Sequence, residues 1–251
     1  MNAAVKIREL YVAKRAPHGP AVAPDGLPLP PPNLRLRVHG RSADWQRFLH
    51  AGSALSRLVQ ESLAAAGTSI ERFDRILDFG CGCGRVARHW NRIEGLEVHG
   101  CDVDAEQIEW CRRNLPHLNA RLTSLTPPTG YEPDSFDFIY ALSVFTHMDE
   151  DLQHAWIGEF RRILRPDGML LFSTLGSEWA RKRLPARELS QFESGGLVVQ
   201  RPRLSGTSAC TAYHPREYVT GALLDGFSPV GFRDGSAEAV LRQDAYLVRA
   251  P

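Results

Sequence analysis

Asp78, Gly80, Gly82 and Gly84 alternate with other residues in the stretch Asp78-Phe79-Gly80-Cys81-Gly82-Cys83-Gly84. An apolar run at 75–79 precedes the glycines and a helical pattern at 85–93 follows them, with Val86, Ala87, Trp90 and Ile93 on one face. A strand that ends in a glycine turn before a helix start lets a ligand lie close to the backbone, near free N–H groups. Asp102 ends the next strand pattern, at 96–102, where an acid can accept hydrogen bonds from both hydroxyls of a ribose. Two ligand classes compete for such a cradle. Gly82 to Ala87 satisfies the dinucleotide fingerprint G-x-G-x-x-[GA]. Asp78, however, would repel a pyrophosphate, whereas it would attract a ligand that carries an ammonium group and no phosphate.

The five cysteines are Cys81, Cys83, Cys101, Cys111 and Cys210. C-x-C without a second pair is poor zinc spacing, so the thiols between the glycines read as small packing residues and no metal is assigned. Cys81 and Cys101 are expected at the ends of neighbouring strands, where an oxidant could join them. An odd count, with no apolar leader in "MNAAVKIREL", argues against a disulfide framework and for a cytoplasmic setting.

The elements that must hold this turn follow from periodicity. "LEVHGCD" (96–102), "FDFIYALS" (136–143) and "GMLLFST" (168–174) read as strands. They alternate with helical patterns at 105–115 and 149–164, which implies βαβ units and a parallel sheet. Before them, 42–66 reads as helix, with Ser42 as N-cap, Gly67 just beyond its end and Gly52 as a break. Residues 17–32 hold seven of the seventeen prolines and read as an extended linker or strap. After the fifth strand, 177–212 reads as an insertion. A helix at 214–226 follows, with Pro215 at its first position and Gly226 beyond its end, and then an antiparallel strand pair.

These motifs together resemble the class I S-adenosylmethionine (SAM)-dependent methyltransferases, bacterial small-molecule type. "ILDFGCGCGR" is similar to that family's first motif and "VHGCDVD" to its second-strand motif. "SFDFIYALSVFTHM" resembles its fourth strand, and "RRILRPDGMLLFST" its helix, turn and fifth strand. The resemblance implies an α/β, Rossmann-like doubly wound sheet of seven strands, mostly parallel with an antiparallel C-terminal strand pair. Residues 1–66 are read as an N-terminal helical and extended lid, ahead of a SAM-binding domain over 67–251. The resemblance also implies cofactor contacts along Asp78, Phe79, Gly80, Cys81 and Gly82, and at Asp102 and Val103. Further contacts are implied at Ser124 and Leu125, where the family often has Asp-Leu, and at Ser143. The spent cofactor would be S-adenosylhomocysteine (SAH).

Ligands of open α/β sheets sit beyond the carboxyl ends of the strands, so the loop after the fourth strand is where a general base belongs. "SVFTHMDED" places His147 and Asp149 there, Asp149 being equally an N-cap for the 149–164 helix; His147 is the first candidate base and His214 the second. Tyr11, Trp45, Phe48 and Trp179 are candidate walls for an acceptor, and Arg181-Lys182-Arg183 a candidate anion contact. The expected reaction is O-methylation of a small molecule, a sugar or natural-product-like hydroxyl, with N-methylation of an amine as the alternative. A partner protein that binds SAM without catalysis, or an NAD(P)-binding oxidoreductase, is the rival from another class.

Composition narrows the partners. The 251 residues carry a net charge of +1, with 43% hydrophobic and 24% charged residues, enough to build a core without staples. Near-neutral charge gives no basis for nucleic-acid or membrane binding. The fourth strand also lacks the [DNS]-P-P-[YF] grip on a flipped base. The expected partners are a small-molecule acceptor and, at most, a second copy of the chain, as monomer or homodimer.

Overall fold

The computed structural model describes residues 11–12, 14–17, 19–40, 42–236 and 242–251; the leader reading of 1–10 lies outside them. Five parallel strands form the centre of the sheet: β1 (Arg75–Phe79), β2 (Glu97–Asp102), β3 (Leu118–Leu122), β4 (Phe136–Ala141) and β5 (Leu164–Thr174). A two-stranded sheet, β6 (Val198–Gln200) with β7 (Thr211–Tyr213), lies in the insertion. β8 (Ser228–Arg233) and β9 (Asp244–Arg249) complete the main sheet, in the order β3-β2-β1-β4-β5-β9-β8, with β9 antiparallel to both neighbours. The expected seven-stranded, doubly wound architecture is therefore present.

Alternation along the strands divides the core between the two faces. Leu77, Phe79, Ile139 and Phe172 bury into one face with Trp156 and Phe160. Ile76, Phe138, Tyr140 and Leu171 bury into the other with Val59, Leu63 and Trp90. Side chains two apart share a face, so Asp78 emerges on the second face, opposite Tyr140 in the β1–β4 register.

Helix α1 (Pro32–His39) and helix α2 (Trp45–Ala65) precede the sheet. Asp44, not Ser42, caps α2: its carboxylate accepts from Arg47 N–H at 2.8 Å, while Ser42 Oγ accepts from Asp44 N–H. Asp forms the stronger cap because a carboxylate also favours the positive helix end. Gly52 does not break α2; it lies where the helix presses on the Arg85 carbonyl. Helix α3 (Ala105–Asn114) is capped by Asp104, and helix α4 (Glu150–Ile163) by Asp149.

The expected helix at 85–93 is reduced to a 3₁₀ turn, Ala87–Trp90. Ala87 and Trp90 are both buried and three residues apart, a spacing that a three-residue turn brings onto one side. The 214–226 helix is likewise short: Arg216–Tyr218 runs into a π-turn at Val219–Leu223, and Pro215 is its N-cap, not its first residue. The insertion folds into helices α5 (Ser177–Arg183) and α6 (Ala186–Glu193) beside β6 and β7, around Ala180, Phe192, Val198 and Tyr213.

The proline-rich segment is not a free linker. The guanidinium of Arg88, fully buried, holds Asp25 through Nε at 2.5 Å and Nη2 at 3.0 Å. Buried Arg35 donates to the carbonyls of Ala43, Pro30 and Pro17. Prolines offer carbonyls but no N–H, so arginine donors suit such a strand. Asp25→Ala would leave the Arg88 charge buried with only the weaker carbonyls of Leu27 and Pro28. It is expected to cost about 2 kcal/mol of stability, read as a lower urea midpoint at unchanged slope.

Candidate cofactor and acceptor site

A cavity of about 260 Å³ opens at the carboxyl ends of β1, β2 and β4. Asp78, Phe79, Gly80, Cys81, Gly82, Asp102, Val103, Leu125 and Ser143 line it, as does His147. Ser124 is not among the lining residues; its neighbour Thr123 is. Side chains alternate along an extended chain, so a shift of one residue changes which hydroxyl faces inward.

The glycine turn differs from an anion cradle. Gly80 and Cys81 donate their N–H groups to Cys101 O, and Gly82 donates to Asp102 Oδ2 at 2.8 Å. Gly84 donates to Cys81 O. These groups are committed to the neighbouring strand, and the segment beyond is a 3₁₀ turn, so a diphosphate would find few of the donors it needs. The glycines are required by the protein itself. Gly80 has φ 76°, and a Cβ there would strike Val144; Gly82 has φ 55°, and a Cβ there would strike Val38 of α1.

Asp78 is buried, and its Oδ2 has no hydrogen-bond partner among the described residues. Burial pushes its pKa up to about 7; the Tyr140 hydroxyl pulls it back, nearby Asp102 adds to the rise, and Arg85 opposes it. Tyr140 in turn accepts from the Trp90 indole N–H at 2.9 Å. Gln107 Oε1 and Thr123 Oγ1 are also buried without partners, and both residues line the cavity. Val103 and Leu125, 49% and 44% exposed, present apolar surface to it. An orphaned carboxylate oxygen, two orphaned acceptor-capable oxygens and apolar walls fit a ligand with an ammonium, amino or hydroxyl donors and a flat ring. That is the donor set of SAM, and the turn's N–H groups, already committed within the protein, do not offer the backbone cradle of a dinucleotide site.

Asp102 Oδ1 accepts from Asp104 N–H at 2.9 Å, and Oδ2 from Gly82 N–H, which leaves one lone pair on each oxygen for a ligand. Burial raises the Asp102 pKa, and the backbone N–H groups of Asp104 and Gly82 oppose the rise. Arg37 of α1 spans the rim, donating to Asp104 at 3.0 Å and to Glu106 at 2.8 Å.

Ser143 takes the left-handed conformation, φ 62°. Its N–H donates to Ser173 Oγ, and its hydroxyl to Gln243 Oε1. A non-glycine residue is uncommon in that region and is held there by these two bonds. Four residues on, His147 places Nδ1 at 2.9 Å from the Cys210 carbonyl. A carbonyl only accepts, so Nδ1 carries a proton, and in the neutral ring Nε2 keeps its lone pair.

His214 is not at the cavity. It is fully buried, with Nε2 at 3.1 Å from Gln153 Oε1. Burial pushes its pKa down to about 3, only partly offset by the Ala212 backbone. None of the four aromatics lines the cavity either. Tyr11 is exposed, Phe48 packs with Leu34 and Cys83, and Trp179 packs in the insertion core. Trp45 lies against Gly19. Lys182 pairs with Glu178, and Arg183 covers Trp179, away from the lining. All five cysteines are free and buried; Cys81 and Cys101 lie at the ends of neighbouring strands, with Cys81 N–H on the Cys101 carbonyl, while the Cys81 and Cys111 thiols are both directed to Gly82 O. Among the described residues no group of three or more His, Cys, Asp or Glu could hold a metal, and no helix is long and apolar enough to cross a membrane.

Arg85, Gln107 and Thr123 were missed by sequence reasoning. Gln107 carried a signal: it lies three positions after the helix cap Asp104, and its Nε2 donates back to that carboxylate. Arg85 lines the cavity, and burial lowers its pKa against the pull of the Cys83 thiol and Asp78.

A family model described as a methyltransferase domain matches residues 46–205. The chain belongs to this methyltransferase-domain family, whose cofactor is SAM. Among curated proteins it is similar to malonyl-[acyl-carrier protein] O-methyltransferase of Enterobacter lignolyticus, 32% identical over 43% of this chain and 41% of that one. It is also similar to ubiquinone biosynthesis O-methyltransferase of Bradyrhizobium sp., 28% identical over 42% of this chain and 41% of that one. The match thus spans about two fifths of the length of these relatives. Among solved structures, a SAM-dependent methyltransferase of Methanosarcina mazei shares the fold, with TM-score 0.54 and 20% identity over 70% of this chain and 92% of that one.

Proposed function

We propose that the protein transfers a methyl group from SAM to a small-molecule acceptor, at a hydroxyl of a sugar-like or natural-product-like compound. The observation that carries this reading is the orphaned Asp78 Oδ2 in the same cavity as His147, whose Nδ1 is used by the Cys210 carbonyl. When bound, SAM supplies an electrophilic methyl group on a sulfonium. Asp78 would hold the α-ammonium, Asp102 the ribose hydroxyls, and Thr123 with the 123–125 backbone the adenine edge. Val103 and Leu125 would cover the adenine faces. Ser143 would lie beside the amino-acid end.

His147 Nε2 accepts the proton of the acceptor hydroxyl as that oxygen attacks. Such base catalysis is worth about 10²- to 10⁴-fold. Arg37, Val38 and Leu55 line the cavity, in keeping with a role for the segment up to residue 66 as a cover on the 67–251 domain. The curated relatives named above are O-methyltransferases, which supports oxygen as the acceptor atom.

The test is mass spectrometry of a metabolite extract incubated with the protein and SAM. A SAM-dependent gain of one methylene on a hydroxylated compound is expected. Saturable NAD binding with no methylated product would overturn the reading. Asp102→Ala is expected to weaken SAH binding by roughly 10- to 100-fold in calorimetry, because two charge-assisted hydrogen bonds are lost.

A further inference from the structure

The turn that carries His147 is held from two sides by groups outside it. From the insertion, the Cys210 carbonyl accepts from His147 Nδ1 at 2.9 Å, and Gly206 N–H donates to the His147 carbonyl at 2.7 Å. Ser205 Oγ accepts from Asp149 N–H at 2.8 Å. From behind, Gln153 Nε2 donates to the Met148 carbonyl at 3.0 Å. That contact fixes the amide: the carbonyl needs a donor, so the NH₂ group faces Met148 and Oε1 faces His214. His214 Nε2 must then donate to Gln153 Oε1, across 3.1 Å. Gln153 and His214 are both fully buried. His214 is itself anchored, with its N–H on the Leu175 carbonyl at 2.8 Å, just beyond β5.

We propose that Gln153 and His214 are positioning residues, a buried hydrogen-bond relay that holds the 147–149 turn against the 201–210 segment so that His147 keeps its Nδ1–H tautomer. The proposal rests on the reading of His147 as the base. The tautomer of a histidine is set by the partner of its other nitrogen. If the turn sagged by a fraction of an ångström, the Cys210 bond would loosen and the ring would populate both tautomers. Nε2 would then be protonated part of the time and unable to accept a proton. The relay contains no ionisable group other than a histidine kept neutral by burial, so it constrains geometry without adding charge to the site.

The full-length protein labelled with ¹⁵N-histidine tests this, because imidazole ¹⁵N shifts report the tautomer without any acceptor. In the parent protein His147 is expected as the Nδ1–H form and His214 as the Nε2–H form. Gln153→Met, similar in size but unable to bond, is expected to move His147 toward a tautomer mixture. With the acceptor found in the extract, kcat should fall about tenfold or more at nearly unchanged KM, and SAH affinity should stay within about twofold. Ser205→Ala, at a partly exposed position, removes the tether on Asp149 and is expected to shift the tautomer in the same direction by less. A folded Gln153→Met that keeps a pure Nδ1–H His147 overturns the proposal. If that variant does not fold, an unshifted Ser205→Ala overturns it. A shifted tautomer with undiminished kcat upholds the positioning relay and retires His147 as the base.

Discussion

Asp78→Asn is expected to weaken SAH binding by at least about 100-fold while making the cofactor-free protein more stable above pH 7. The opposite signs share one cause. The carboxyl lies in a buried site that pushes its pKa up to about 7, against the ordinary aspartate range of about 3.9 in the unfolded chain. Between those values the unfolded state is ionised and the folded state is not. This group's contribution to stability therefore falls as pH rises from about 4 to about 7, then levels off. Asparagine removes that penalty and still accepts from Tyr140. In the complex the carboxylate has an ammonium partner, which asparagine cannot replace. Binding in the parent protein should weaken as pH falls below 7, by up to tenfold per unit, and should release a proton at pH 6. Calorimetry in buffers of different ionisation enthalpy measures the proton; thermal melts with and without SAH measure the two stability effects. A flat pH profile in the parent protein would separate Asp78 from the ligand's cation.

His147→Ala should leave SAH affinity within about threefold and lower kcat by about 10²- to 10⁴-fold. The expectation follows from the ring's attachment. Its Nδ1 is used by the Cys210 carbonyl, and Nε2 has no hydrogen bond within the described residues, so its loss costs the fold one partly buried contact and the reaction its proton acceptor. The measurement is single-turnover kinetics with the acceptor found in the extract. An undiminished rate would assign the proton to water and leave His147 as a structural part of the turn.

The strand and helix alternation, and with it the seven-stranded sheet, was legible because buried parallel strands read as apolar runs and their helices as stripes. Asp78 and Asp102 were legible because each lies at the carboxyl end of a strand pattern beside a turn. Other parts depended on contacts between distant residues. Asp25 and Arg88 are 63 positions apart, so nothing local marked the strap as docked. The glycines of the turn were read as room for a ligand; Gly80 and Gly82 do line the cavity, and they also make room for Val144 and Val38, which no local pattern marked. Thr123 was passed over for Ser124 because the end of β3 could not be fixed to within one residue, and one residue changes the face. His214 was read as a helix-start imidazole near the site. Its burial behind Gln153 depends on the insertion folding as its own small unit, which few apolar positions announced.

The most direct test is a crystal structure with SAH. The ammonium nitrogen is expected within about 3 Å of Asp78 Oδ2 and the ribose hydroxyls on Asp102, with His147 Nε2 facing the sulfur side of the cavity. SAH bound with its ammonium away from Asp78, or with protein filling the space between His147 and the sulfur, would contradict it.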